Sequence, residues 1–313
     1  MCNRSAILTL LIVTLSFVSI HSSFAQSNPK DVKTSKRKVG LVLSGGGAKG
    51  LAHIGLLKLI DSLGIKIDYI TGTSMGGVLG GLYAMGYSAN QLDSIASAIN
   101  WKRILSNKSP LNEVNIIEKD EYSQYVINLP VNGAKPGLPN ALVEGQFLSE
   151  TLNTLTFPVR DINDFAELPI PVKVATTDIV TGERVLQTKH SLPLALRATM
   201  SIPGAFAMTY INGHPFVDGG LARNFPVEEV REMGADVVIG GYTGFRLYVQ
   251  KEIEQPLKMM IQTQAFGSVE DSKKQMKKTD ILINFNEALV NFGPSDFAQH
   301  NAIIAAGKKQ TLQ

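Results

Sequence analysis

A short apolar run that breaks on three consecutive glycines constrains this chain more than any other stretch: residues 39–53 read VGLVLSGGGAKGLAH. Val39 to Leu43 is apolar and largely β-branched, the make-up of a buried strand. Ser44 and then Gly45, Gly46 and Gly47 follow, and a helix-forming segment opens near Ala48. A strand that ends in a glycine turn and feeds a helix aims several backbone N–H groups, with the positive helix end behind them, at one point. Such a place suits negative charge, either a bound phosphate or an oxyanion that exists only during a reaction.

The 313 residues hold one large or two small domains and are ample for a buried core. A composition of 44% hydrophobic and 18% charged residues excludes a disordered or fibrous chain. The net charge of +3 is small for this length and makes no case for nucleic acid. At the N-terminus Arg4 precedes an apolar run over 7–20, and Ser23-Phe24-Ala25 offers small residues where a signal peptidase reads. Residues 1–25 are therefore expected to be a secretory signal cleaved after Ala25. The run is short of the roughly 20 residues a membrane span needs. This predicts an exported protein: periplasmic, outer-membrane-associated or secreted. Residues 26–36 read as a polar linker, with Lys33, Lys36, Arg37 and Lys38 as solvated charges. The lone Cys2 lies before the apolar run, so removing the signal leaves no cysteine, which excludes thiol catalysis, disulfides and Cys-ligated zinc.

The periodicity predicts a strand at 38–43, a helix at 48–63 stopped by Gly64, a strand at 65–71, and a helix reaching about Tyr83 after the sharp turn GTSMG. This strand-turn-helix order, repeated, argues for parallel strands with crossover helices. One amphipathic helix is expected over 88–105. Residues 106–145 carry Pro110, Pro130, Gly133, Pro136, Gly137 and Pro139 and lose periodicity, reading as a lid or a surface insertion. Beyond it come a helix at 146–155, strands at 171–177 and 184–188, a helix at 191–199, and a hairpin around Asn212-Gly213. A helix at 226–233, a strand at 236–240, a long helix at 252–277, a strand at 280–285 and a terminal helix from about Pro294 complete the pattern.

Two further motifs can carry chemistry. In GTSMG, Gly72 to Gly76, a serine at a strand-to-helix turn with glycine on both sides is pushed clear of the backbone, at a helix N-terminus that favours developing negative charge. The same residues also fit a serine N-cap in a glycine turn. A serine nucleophile needs a base. His21 is in the signal, His53 lies inside the first helix as a packing residue, and His190, His214 and His300 have no motif context. Asp218, in VDGGLARN after an apolar strand, is the better candidate, although D-G-G is also a common turn. The loop Gly45–Gly50 fits G-x-G-x-x-G, so a dinucleotide site is the competing reading, with Asp68 as its ribose acid. Against it, Asp68 is expected in the middle of its strand, and Lys49 is not in a G-K-[ST] sequence.

Taken together, GGGAKG after the first strand, GTSMG after the second and DGG far downstream resemble the patatin-like phospholipase family. HIGLLKLI, LYAMGYS, LPNALVEGQ, VATTDIVTGE, SIPGAF and DGGLARNFPV extend the resemblance over about residues 37–245, less sharply beyond. It implies a patatin-like three-layer α/β/α fold with a mostly parallel central sheet, occupying 37–310. It also implies a serine lipid acyl hydrolase working through an acyl-enzyme on lipid or phospholipid at a membrane surface. Ser74 would be the nucleophile and Asp218 its proton acceptor, with Gly219 and Gly220 completing the DGG motif. Backbone amides of Gly45, Gly46 and Gly47, chiefly the last two, would form the oxyanion hole, and Gly72 and Gly76 would flank the nucleophile. No cofactor and no metal are expected. Lys49 stands where many relatives have arginine. Arg197, ahead of SIPGAF, reads as one side of a structural ion pair, with a lipid phosphate as its other reading, and Asn224 is open in the same way.

Two other classes remain in view: a nucleotide-binding α/β module without hydrolysis, and an exported passenger of a longer protein. No barrel-like run of alternating strands is visible. Head-group and positional preference, oligomeric state, and whether the chain is a truncated copy of a barrel-containing protein are not written in the sequence.

Overall fold

The run that begins at Val39 is apolar throughout because both of its faces are covered. Strand β1 (Val39–Leu43) turns Leu41 and Leu43 into one cluster with Leu51, Ile54 and Leu57, and Val42 into another with Phe225, Val230 and Val238. Alternate residues on a strand point to opposite faces, so a strand buried on both sides has no polar register left. A computed structural model describes residues 36–106, 114–117, 119, 131–132, 135–136, 143–254 and 256–313. The expected signal peptide at 1–25, the linker apart from Lys36, and most of the expected excursion at 106–145 lie outside the described residues.

Seven further strands join β1 in one sheet: β2 (Tyr69–Thr73), β3 (Val172–Asp178), β4 (Arg184–Gln187), β5 (Thr209–Ile211), β6 (His214–Asp218), β7 (Val237–Tyr242) and β8 (Ile281–Asn284). The order is β8-β7-β1-β2-β3-β6-β5, with β4 also pairing β3. The pairs β8/β7, β7/β1, β1/β2 and β2/β3 are parallel, and β4, β5 and β6 run antiparallel to their partners. Helices cover both faces, giving the three-layer, mostly parallel α/β/α architecture expected from the motif order. On one side lie α1 (His53–Ser62), α2 (Ser74–Ala84) and the last helix, which closes against α1. On the other, Val227 and Val230 of the short helix Val227–Glu232 cover β1.

Strand β3 is where the topology becomes functional. Its Val174 pairs with Gly72 of β2 on one edge and Gln187 of β4 on the other, while Thr176 pairs with Asp218 of β6 and Val185 of β4. Since β4 holds one edge over residues 174–177, β2 and β6 must share the other, end to end. β2 stops at Thr73 beside Ala175, and β6 arrives from the opposite direction and stops at Asp218 beside Thr176. One rung of the sheet separates the two strand ends, so Ser74 and Asp218 are brought face to face by register alone.

Several expected boundaries shift. The segment expected as one helix over 48–63 begins as a 3-10 turn, Gly47–Ala52, before α1. The expected strand at 65–71 is displaced to β2, whose Ile70 and Thr71 pair with Leu41 and Val42 of β1. The expected single helix at 88–105 is two, Ala89–Ala98 and Trp101–Ser106, with Ile99 extended between them. Ser88 and Gln91 form a reciprocal capping box at the start of the first. The hairpin joining β5 to β6 turns on Asn212 at φ 52° and Gly213 at φ 81°, the left-handed pair that a tight primed turn demands. Among the described residues no helix is long and apolar enough to cross a membrane.

Candidate active site

Ser74 stands at the start of α2 with φ 51°, a left-handed conformation that L-residues with side chains rarely adopt. The two flanking glycines explain how the chain accommodates it. A Cβ at Gly76 would lie 2.3 Å from the Leu43 carbonyl oxygen, and one at Gly72 would lie 2.6 Å from that of Gly76, so α2 can start this close to β1 only without side chains there. The strained backbone is held by a residue the motifs do not reveal: the Ser74 N–H donates to Thr199 Oγ1 at 2.7 Å, and that hydroxyl donates to the Ala175 carbonyl at 2.6 Å. Thr199 lies just ahead of SIPGAF, and the only sequence signal for it is that proximity. Thr71 and Thr73 of β2 are tied likewise, their hydroxyls donating to the carbonyls of Pro226 and Arg223. Thr199→Val should leave a buried N–H and a buried carbonyl without partners, at a cost of about 3 kcal/mol, while Thr199→Ser keeps most of it. Urea unfolding of the two variants checks this.

Asp218 ends β6 with its side chain 6% exposed, beside Ser74 at 4%. The Gly220 N–H donates to the carboxylate at 2.7 Å, and the Ser74 side chain lies beside it. Burial pushes its pKa up to about 6, against the lowering effect of the Ser74 hydroxyl and the Gly220 amide. A Cβ at Gly219 would lie 2.3 Å from the Ala175 carbonyl oxygen, so the DGG turn packs on β3 as closely as backbone permits. Among the described residues no histidine bonds to either side chain: His53 is fully buried, with Nε2 donating to the Ser44 carbonyl at 2.9 Å and its ring edge-on to Phe285. Burial holds the His53 pKa down to about 4, so it is a neutral packing residue, as its helix position suggested.

The glycine loop passes directly over the serine. A Cβ at Gly45 would lie 3.0 Å from the Ser74 Cβ and 2.6 Å from Asn224 Oδ1. The loop is fastened at both ends: Ser44 N–H donates to the Gly241 carbonyl, Thr243 N–H to Ser44 Oγ, and Ala48 N–H to the Pro294 carbonyl. Gly45 N–H is itself engaged, at 3.4 Å, by the Asn224 carbonyl. Among the described residues no hydrogen bond takes up the amides of Gly46 and Gly47. Of the three glycines expected to offer amides, two have them open and one uses its own to hold the loop in place.

Two sequence expectations are corrected. Arg197 is 5% exposed, yet among the described residues no carboxylate meets it: its guanidinium donates to Ser201 Oγ and to the carbonyls of Glu144 and Ala207, and lies over the Phe206 ring. It ties the 143–145 and 206–207 segments together through neutral acceptors, and burial lowers its pKa to about 10. Asp68 lies just before β2, not in mid-strand, and its carboxylate accepts from Val39 N–H and pairs with Lys66. That is the N-terminal edge of the sheet, opposite to the glycine loop, so a ribose held by Asp68 has no path to a phosphate held by the loop. Asn224 bridges the loop and the DGG turn, its Nδ2 donating to the Gly45 carbonyl at 3.4 Å.

The chain is similar to several known proteins. A family model described as patatin-like phospholipase matches residues 41–231. An uncharacterized NTE family protein of Mycobacterium bovis is 28% identical over 206 residues, 66% of this chain and 49% of the relative. A lysophospholipase of Yarrowia lipolytica, NTE1, is 29% identical over 205 residues, 65% of this chain and 12% of that protein. The chain spans about half the length, or less, of such relatives. Among solved structures, VipD from Legionella pneumophila aligns over 88% of this chain and 66% of its own at 16% identity, with a TM-score of 0.41. With the family model matching more than half of its residues, the chain belongs to the patatin-like phospholipase family.

Proposed function

We propose that this protein hydrolyses a carboxylic ester of a lipid through a Ser74–Asp218 dyad, by way of an acyl-enzyme. The observation that carries the reading is the Ser74 hydroxyl set beside a buried carboxylate whose pKa is lifted to about 6, under a loop with two open amides. An aspartate at its ordinary pKa is a feeble base. At about 6 it is still ionised near neutral pH and takes a proton more readily. Asp218 accepts the Ser74 proton as Ser74 Oγ attacks the ester carbonyl. The oxyanion is received by the amides of Gly46 and Gly47, aided by the N-terminus of α2; one such donor is worth about 3 kcal/mol. Collapse of the tetrahedral intermediate expels the alcohol, which leaves with the proton held on Asp218. Water, deprotonated by the same carboxylate, then releases the acid and restores Ser74.

A lipid substrate is supported by the family, by the lysophospholipase among the relatives, and by the apolar surface that begins at the next residue. Met75, Met200, Leu79, Leu148 and Trp101 line a narrow slot between α2 and the helices Trp101–Ser106 and Gln146–Thr156. Export through the apolar segment at 7–20 would bring the enzyme to lipid outside the cytoplasm. A fluorophosphonate probe should label the protein at Ser74, located by peptide mass spectrometry, and a panel of phospholipids, lysophospholipids and neutral esters should reveal turnover that the probe blocks. Labelling elsewhere, or turnover that survives complete labelling of Ser74, overturns the reading.

A further inference from the structure

Under the DGG segment lies a cluster of buried charge that takes no part in the proton transfers. Arg223, five residues after Asp218, is 5% exposed, and three carboxylates meet its guanidinium. Nη1 donates to Glu228 Oε2 at 2.8 Å, and Nε lies 3.3 Å from both Glu229 Oε1 and Asp271 Oδ2. Glu229 is fully buried, and the partly exposed Arg184 of β4 reaches the same oxygen at 3.3 Å. The cluster therefore joins three elements to the DGG segment: the helix Val227–Glu232, the helix Pro256–Met276 and β4. Burial pushes the Glu229 pKa up, and the Arg223 charge is foremost among those that oppose this.

The main chain at this arginine meets three parts of the site. Its carbonyl accepts from Thr73 Oγ1 at 2.9 Å, one residue before the nucleophile. Its N–H donates to the Gly219 carbonyl at 2.8 Å, inside the DGG turn. The next residue, Asn224, holds the glycine loop: its carbonyl accepts from Gly45 N–H and its Nδ2 donates to the Gly45 carbonyl, each at 3.4 Å. One short stretch thus ties β2, the DGG turn and the loop to one another. A buried ion cluster gains little net stability, since desolvation offsets the attraction. A guanidinium fork held by carboxylates from separate elements does leave the main chain behind it few positions. We propose that Arg223 is a positioning residue: held among Glu228, Glu229 and Asp271, it fixes the 223–224 peptide and through it the spacing of Ser74, Asp218 and the glycine loop. The proposal rests on the hydrolytic reading and adds to it a residue that acts only through others.

Arg223→Gln takes a cation from buried Glu229 and puts the fold at risk, so the charge-balanced Arg223→Gln/Glu229→Gln variant is its companion. The double variant should unfold at higher urea than the single one. Both should nonetheless turn over a monomeric short-chain ester with kcat about 10²-fold below wild type and KM little changed. The rate is taken per site, counted by end-point fluorophosphonate labelling of Ser74, so that unfolded molecules do not enter it. Arg223→Lys, which keeps the cation, should recover part of kcat. A residue that only stabilises the fold gives turnover per labelled site at the wild-type level, or kcat that rises with stability from the single to the double variant. Either result, or a lysine form no better than the glutamine form, overturns the proposal and leaves the hydrolytic reading standing. Should the wild type turn over no ester, the hydrolytic reading falls first. Positioning is then read by amide hydrogen exchange in the double variant, where Gly45 and Ser74 N–H should exchange faster while β1 stays protected. Unchanged exchange at both amides overturns the proposal too.

Discussion

Ser74→Ala should lower kcat for ester hydrolysis by about 10⁴-fold or more while leaving the fold intact, since the attacking atom is gone and nothing nearby replaces it. The variant also tests how the site is built. Ser74 holds φ 51°, a conformation that costs a residue with a Cβ about 1–2 kcal/mol. Alanine keeps that strain and loses the hydroxyl beside Asp218, whereas Ser74→Gly loses the same hydroxyl but relaxes the backbone. Both variants should be inactive, and the glycine form should unfold at higher denaturant than the alanine form, by about 1 kcal/mol. Turnover by Ser74→Ala at the wild-type rate removes the serine from the mechanism. Equal stability of the two variants would mean that the turn carries no strain, leaving its sharpness to Gly72 and Gly76 alone.

The parts of this site that the sequence announces are those fixed by local geometry. A glycine where backbones must nearly touch, as at Gly76 against the Leu43 carbonyl, has no substitute, so GGGAKG, GTSMG and DGG stand out one by one. The hairpin at Asn212-Gly213 is legible for the same reason, since two adjacent residues at positive φ leave few choices. What the sequence hides is pairing across distance. Nothing in VKVATTD says that β2 and β6 will meet end to end along one edge of β3, yet that register is what carries Asp218 to Ser74. Thr199 looks like any helical threonine until its hydroxyl is found between Ser74 N–H and the Ala175 carbonyl. Arg197 misleads in the opposite direction: a buried arginine suggests an acid, and only the folded chain shows that carbonyls meet it instead. Asp68 fails as a ribose acid for a reason of placement, because the displacement of β2 along the sequence puts it at the far edge of the sheet.

Asp218→Asn should show the largest effect of pH on this protein, and in opposite directions for activity and stability. Wild-type kcat/KM should rise as pH passes about 6 and then level off, because only the ionised carboxylate takes the serine proton. The asparagine variant loses that proton acceptor, and its turnover should fall at least about 10³-fold at every pH. For stability the sign follows from burial. The folded-state pKa of Asp218 is raised, from 3.8 to about 6, so the native protein binds more protons than the unfolded chain between those values. Its contribution to stability is therefore fullest below about pH 4 and is lost as pH rises through 6, a difference of about 3 kcal/mol by neutral pH. His53 has the opposite slope in much the same window, since burial lowers its pKa from 6.5 to about 4 and folding then favours the neutral ring. The two slopes largely offset each other in the wild type, so its own stability curve is uninformative. Subtracting wild type from Asp218→Asn cancels His53 and leaves the carboxyl alone. The variant keeps an oxygen to accept from Gly220 N–H and carries no buried charge. It should thus be the more stable protein at pH 8, by up to about 3 kcal/mol, with the advantage shrinking to nothing near pH 4. A difference that stays flat from pH 4 to 8 would show that Asp218 titrates as it does in the unfolded chain. A carboxyl of that kind is too weak a base for the step assigned to it.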